Sequence, residues 1–258
     1  MGRKDRDGTM RGIGKAVVII FQILVIILLL FPVVLTVTKA TLADFFTVLI
    51  EEFWFYPKFW FSLAIAAGIG LGAVVVAVLA AVGLKFGRVK HVKEILFVLL
   101  LLMLMPLQTT LLPNYIGLRD LSLLDKPRAL ILPMLASPFA TYLMYQYMDS
   151  VPYEGFEAAR LETGSVLRIL SSVILPQMRA CIAAVFVFMF AECFNMVEQP
   201  LYFVKKETLK PLSVLSESLT NENSHLIFAV GVLCMIPMLL LYGFYEEELA
   251  EGLGHLKA

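Results

Sequence analysis

The residues best placed to do chemistry lie between positions 151 and 177, in the stretch VPYEGFEAARLETGSVLRILSSVILPQ. Three acids and two arginines gather there, in a chain that is 60% apolar and only 16% charged. Glu157 and Arg160 offer charges for pairing with another protein. Ala158 and Ala159, side by side, leave room for a partner's side chains to come close. Pro152 suits the first turn of a helix, with Asp149 or Ser150 ahead of it as caps. The run from Phe156 to Glu162 is mostly good helix formers, and Gly164 can stop that helix. Ser165 can cap a second helix, in which Val166, Ile169, Leu170 and Val173 recur at i, i+3, i+4 and i+7. Pro176 then marks where the next apolar run begins. The stretch reads as two short helices around a glycine break, lying at a membrane surface. On the physics alone, an amphipathic surface helix without a partner fits as well as a docking element.

Other chemistry is sparse. Gln108, Glu192 and Asn195 are polar residues inside apolar runs, which makes them candidate pore-lining positions. Glu192 either faces a bundle interior or sits at the outer end of its run and touches solvent. Gln108 and Asn195 can hydrogen-bond solute hydroxyls or, as common membrane glue, a neighbouring helix. No His, Asp or Glu constellation has catalytic or metal-ligand spacing, and no cofactor or metal is expected. His91, His225 and His255 are far apart in the chain. Cys181, Cys193 and Cys234 all fall in apolar runs and read as small packing residues. The nearest approach to a nucleotide-binding loop is Thr9-Met10-Arg11-Gly12-Ile13-Gly14-Lys15-Ala16. It lacks the first glycine, the hydroxyl residue after lysine, and a preceding strand.

The elements that must position these residues are membrane spans. The chain has 258 residues, a mean hydropathy of +0.85 and zero formal net charge. That balance excludes an ordinary soluble core and gives no sign of nucleic-acid binding. Six runs of about 17–22 residues suit a bilayer about 30 Å thick: 16–37, 59–82, 95–112, 129–148, 180–196 and 226–245. Helices are expected, because hydrocarbon offers no partner for a backbone N–H. Kinks are expected at Pro106 and Pro237. The first run, led by Arg3, Lys4, Arg6, Arg11 and Lys15, is too long for a signal-peptide core and reads as a retained span. With the N-terminus inside, 13 lysines and arginines fall on inner segments and 8 on outer ones, a positive-inside bias that places both termini in the cytoplasm. Phe53-Trp54-Phe55-Tyr56 then meets the outer interface. The fold class is an all-α integral membrane protein with six transmembrane helices: a cytoplasmic tail at 1–15, one transmembrane domain at 16–245, and a cytoplasmic tail at 246–258. The charged stretch lies in the cytoplasmic loop, 149–177, between spans four and five. Gly68 and Gly72 form a small-x-x-x-small pair, read first as packing within the subunit. The polar segment 198–224 is long for a bare loop, and a short re-entrant or surface helix is expected within it.

EAARLETGSVLRILSSVILP, residues 157–176, resembles the EAA loop of the membrane subunits of binding-protein-dependent ABC importers. Glu157, Ala158, Ala159, Val173, Leu175 and Pro176 match that pattern in register, while the family's glycine falls on Thr163 and this chain's glycine follows at Gly164. Residues 106–133, 194–204 and 55–63 are similar to carbohydrate-uptake permeases of the maltose and multiple-sugar type. The resemblance implies a multi-pass permease of a bacterial-type cell membrane, forming half of a pore for a sugar or oligosaccharide. It implies as partners a second homologous permease, a cytoplasmic dimer of ATP-binding subunits, an extracellular solute-binding protein, the sugar itself and membrane lipid. The loop would be a coupling helix, with Glu157, Ala158, Ala159, Arg160, Gly164 and Pro176 engaging the ATPase, which alone hydrolyses ATP. A permease for a non-sugar solute is the alternative. A stand-alone secondary transporter would need paired inverted repeats, and an intramembrane enzyme would need a nucleophile–base pair. Neither feature is seen.

Overall fold

The computed structural model describes residues 2–87, 89–150, 159, 165–214 and 225–255, and among them every regular element is helical. The helices are α1 (Gly2–Lys39), α2 (Leu42–Phe46), α3 (Phe55–Phe86), α4 (Val92–Met103), α5 (Leu107–Asp120), α6 (Pro127–Leu135) and α7 (Pro138–Ser150). There follow α8 (Val166–Ile169), a π-helical turn Leu170–Ile174, α9 (Leu175–Gln177), α10 (Arg179–Phe194), α11 (Glu198–Phe203), α12 (Leu226–Phe244) and α13 (Glu246–His255).

Six spans were expected, two of them kinked; among the described residues three single helices are long and apolar enough to cross a membrane: 18–39 within α1, α3, and α12, which continues through Pro237. The expected third and fifth spans are each bent, by 101° between α4 and α5 and by 70° between the 170–177 segment and α10. The expected fourth span, 129–148, is two short helices, α6 and α7, parted at Ala136 and Ser137. Proline explains two of the breaks. Pro106 and Pro138 each stand at the start of a helix, where no intrahelical N–H is required and φ is already set, whereas the 70° bend falls at Met178, two residues after Pro176. At α7 the Ser137 hydroxyl also accepts from the Ala140 amide (3.2 Å), a serine cap just ahead of proline. Residues read as tails prove helical as well: α1 begins at Gly2, and α13 occupies most of the C-terminal segment.

The chain forms two compact units. The first comprises residues 1–52 and 219–235. There Thr41 and Asp44 form a reciprocal capping box at α2, Gly231 admits the Thr36 methyl group, and Lys39 lies 5.4 Å over the Phe228 ring. The most apolar stretch of α1 is 0% buried within the chain, so lipid or another chain must cover it.

The second unit, residues 53–218 and 236–258, is organised on α3. Ala66, Gly70, Ala73, Ala77 and Ala81 recur every three or four residues along it and are buried, a stripe of small side chains that lets α6, α7 and α10 lie close. The first-expected glycine pair is only half right. A Cβ on Gly72 would meet Leu135 of α6 at 2.4 Å, whereas Gly68 has open space around it. The less yielding notch is Gly70, whose added Cβ would sit 3.1 Å from the Phe186 ring and 3.5 Å from its backbone carbonyl on α10, where Gly72 faces only the end of a flexible leucine. Gly70→Leu should therefore cost about 1–3 kcal/mol through overpacking, and Gly68→Ala should cost nothing measurable. Thermal melting of the purified protein in detergent checks both; equal melting temperatures for the two variants would refute the notch.

Candidate functional site

The coupling residues predicted from sequence fall mainly outside the described residues: Glu157, Ala158, Arg160 and Gly164 are among those. Ala159 is helical and half-buried. What the structure does define is where the loop is anchored. On its N-terminal side α7 runs through Asp149 to Ser150, and the Asp149 carboxylate pairs with Lys85 in the last turn of α3. On its C-terminal side α8 begins at Val166, one residue after Ser165, as the i, i+3, i+4 pattern predicts. Pro176 then stands in the first turn of α9, and the chain swings by 70° at Met178 into α10. Because α3 packs against both α7 and α10, the two ends of the loop rest on a common support.

Among the described residues no hydrogen bond joins the three candidate pore residues to one another. Gln108, in the first turn of α5, donates from Nε2 to Oε1 of Glu198 at the start of α11 (2.9 Å). That is the helix-to-helix role. Asn195 closes the end of α10 on itself, its amide donating to the Ala191 carbonyl (2.8 Å). Glu192 sits exposed in the last turn of α10.

Sequence reasoning missed Glu198 and its surroundings. The expected short helix in the 198–224 segment is α11, and it is held at both ends. Gln108 holds its start. At its far end the Asp125 amide donates to the Phe203 carbonyl (3.1 Å), and the Asp125 carboxylate accepts from the Lys205 amide (2.5 Å). Asp125 reaches both with φ of 59°, a left-handed backbone that Asp tolerates better than most residues. Farther on, Ser62 of α3 accepts from the Leu212 amide (2.7 Å), and Lys58 donates to the Glu207 carbonyl (2.8 Å). Glu207 is itself paired with Lys210 (2.5 Å), and that hydrogen bond, helped by the charges of Lys210 and Lys58, holds its carboxyl below the usual range. Each of these contacts joins residues tens of positions apart or more, save the Glu207–Lys210 pair. No local spacing signals them.

Residues 73–247, more than half of the chain, match the family described as the binding-protein-dependent transport system inner membrane component. The chain belongs to this family. It is an ABC importer permease subunit, and its relatives are transport subunits rather than enzymes. The permease is 25% identical over 197 residues to the sn-glycerol-3-phosphate transport system permease protein UgpE of Agrobacterium fabrum, covering 74% of this chain and 70% of that one. It is 27% identical over 199 residues to the protein of the same name in Pectobacterium atrosepticum, with 74% and 70% covered. Among solved structures, it superposes on a bacterial ABC transporter involved in the import of the acidic polysaccharide alginate with a TM-score of 0.72, at 20% identity, over 96% of this chain and 98% of that one. The inward-facing MetNI methionine ABC transporter gives a TM-score of 0.55 at 18% identity, over 73% and 91%. At those identities the two structures establish the fold.

The Lys85–Asp149 pair generates a prediction. Lys85 is only 21% exposed in its side chain, so charge reversal at either position should lower stability by about 0.5–1 kcal/mol, the upper part of the range for partly exposed pairs. The double exchange Lys85→Asp with Asp149→Lys should recover most of it. Melting temperatures of the four proteins close the cycle, and additive losses in the double variant would show that the pair is not coupled.

Proposed function

We propose that this chain forms half of the translocation pore of an ATP-driven importer for a sugar or sugar derivative, and that its 149–177 loop couples the pore to a cytoplasmic ATPase. The single observation that carries the reading is the EAA pattern at Glu157–Pro176 within a segment, 73–247, that matches the importer permease family. In this reading all six segments cross or enter the membrane, the broken ones as bent spans, and both termini are cytoplasmic. The positive-inside bias supports that orientation. Glu157 pairs with a basic residue of the ATPase, Ala158 and Ala159 pack against the wall of its groove, and Arg160, Gly164 and Pro176 set the loop's shape. ATP binding closes the ATPase dimer and biases the pore between inward- and outward-facing states, a two-state equilibrium shifted by a ligand bound elsewhere.

Two observations support assembly with a second permease. The apolar surface of α1 has no cover within the chain. Oε2 of Glu198 is buried without a hydrogen-bond partner among the described residues, a situation that costs about 1–3 kcal/mol unless a donor arrives from outside the chain. An extracellular binding protein delivers the solute, and Gln108, Glu192 and Asn195 lie on the outer side of the pore half. The relatives named for sn-glycerol-3-phosphate, and the neighbour that imports alginate, point to sugars and their derivatives as the solute class.

Two experiments test this. Glu157→Lys should leave the permease in the membrane yet reduce co-purification of the ATPase and solute uptake by tenfold or more. A complex that assembles and transports normally with this substitution would end the coupling assignment. Separately, calorimetry of the cognate binding protein against neutral sugars, acidic sugars and polyol phosphates should find one tight ligand. A panel with no binder would sink the sugar assignment while leaving the importer intact.

A further inference from the structure

A cavity of about 230 Å³ lies in the second unit where α3, α10 and α13 meet. It belongs neither to the loop anchors nor to the Gln108–Glu198 group. Its apolar wall is made by Leu71 and Val74 of α3 with Ile182 and Phe186 of α10. Phe186 is fixed from two sides, seated against the Gly70 notch and met edge-on by Tyr245 (centroids 5.9 Å apart, 64° between planes). Tyr245 begins the turn into α13, which packs back along α10.

Two opposite charges line the same cavity: Arg179, the first residue of α10, and Glu248, in the first turn of α13. They do not pair. No ion pair is made by either among the described residues, although Arg179 is exposed and Glu248 is half-buried. A cation and an anion facing one space without meeting leave room for a group that carries both signs. The depth is also informative. Arg179 opens α10 just past the 70° bend, and Phe186 lies seven residues farther along it, about 10 Å at 1.5 Å per residue. With α10 as the part that crosses the hydrocarbon, the charges fall nearest the headgroups of one leaflet and the apolar wall descends away from them.

We infer that this cavity binds one phospholipid with a primary-ammonium zwitterionic headgroup, its phosphate on Arg179, its ammonium on Glu248 and one acyl chain along Leu71, Val74, Ile182 and Phe186. The guanidinium fork suits a phosphate, and basic pockets at headgroup level are a recurrent lipid-binding arrangement. The Glu248 carboxylate requires N–H donors, which an ethanolamine headgroup supplies and a choline headgroup lacks. The inference rests on the chain's being a membrane permease and is independent of the coupling role of Glu157 or the identity of the solute.

The test is native mass spectrometry of the assembled importer, released from detergent in equal amounts of phosphatidylethanolamine and phosphatidylcholine of matched chains. Ethanolamine lipid should be retained about tenfold over choline lipid, the scale of one charge-assisted hydrogen bond. Stepwise N-methylation of the headgroup should erode that preference with the unaltered protein, so the result does not depend on any variant folding. Glu248→Gln should abolish the discrimination while phospholipid is still held, and Arg179→Gln should release both lipids. Equal retention of the two lipids, indifference to N-methylation, or displacement of the lipid by the transported solute would each overturn the assignment, the last by giving the cavity to the transport path.

Discussion

Everything in this permease is conditioned by one fact about hydrocarbon: it cannot hydrogen-bond a peptide group. A membrane helix that breaks must satisfy its own backbone at the break. Two sharp bends occur among the described residues, and at each the neighbouring amides find partners locally. After α4, the Leu104 and Met105 amides fall back on the carbonyls of Leu101 and Leu102 (3.1 and 3.2 Å). At α5 the Thr109 amide and hydroxyl both donate to the Pro106 carbonyl (3.0 and 2.7 Å). At Met178 the amide reaches Ile174 and Leu175 behind it, while its carbonyl accepts from Ile182 ahead (2.9 Å). The chain therefore turns sharply by 101° and 70° with these amides still bonded. Proline makes this economical, since at the start of a helix its missing N–H is one that no carbonyl awaits.

Broken helices need a rigid neighbour, and α3 supplies it. Its 32 residues run without interruption, and its small-residue stripe brings α6, α7 and α10 close. Small residues suit this role because, among helices already in lipid, close van der Waals packing rather than water exclusion drives association. Phe186 shows the consequence: its ring fills the space that the absent side chain of Gly70 leaves. The polar contacts follow the same economy. Those of α11 and the following segment run to α3, α5 and the α5–α6 turn, so the irregular chain beyond α10 is tied to regular elements at several points.

The sequence revealed membrane residence, helical class and family with little ambiguity, because these depend on long apolar runs and on one short pattern with fixed spacing. It was poorer on continuity. Hydropathy sums over a window and is blind to a two-residue interruption, so 129–148 passed as one span. The Ser137-Pro138 pair, a helix-start signal, was nevertheless in plain view within it. At Pro106 the sequence suggests a kink in a continuing helix, whereas the proline caps a new one. Pro237 carried the same expectation, and there α12 continues. Proline alone does not distinguish the two cases; the neighbouring segments do. Gln108 was legible as polar within an apolar run, but its partner Glu198 is 90 positions away, and only the fold sets that pairing.

The anchoring of the 149–177 loop bears on how a push from below would travel. If the loop is the coupling element proposed here, its ends must deliver displacement to the helices without absorbing it. Asp149 ties one end to α3 through Lys85, and Met178 hinges the other directly into α10. Since α3 and α10 pack along the Gly70–Phe186 contact, the two ends act on one body, not on two that could part. Interfaces packed at this density switch between discrete arrangements instead of deforming gradually. A movement at the loop would then tilt α3 and α10 together, and α11, held by α5 and Asp125, would follow through the chain at Asn195 and Met196. That makes the backbone between Phe194 and Glu198, where α10 ends and α11 begins, the place where motion of the loop would meet the polar group around Glu198.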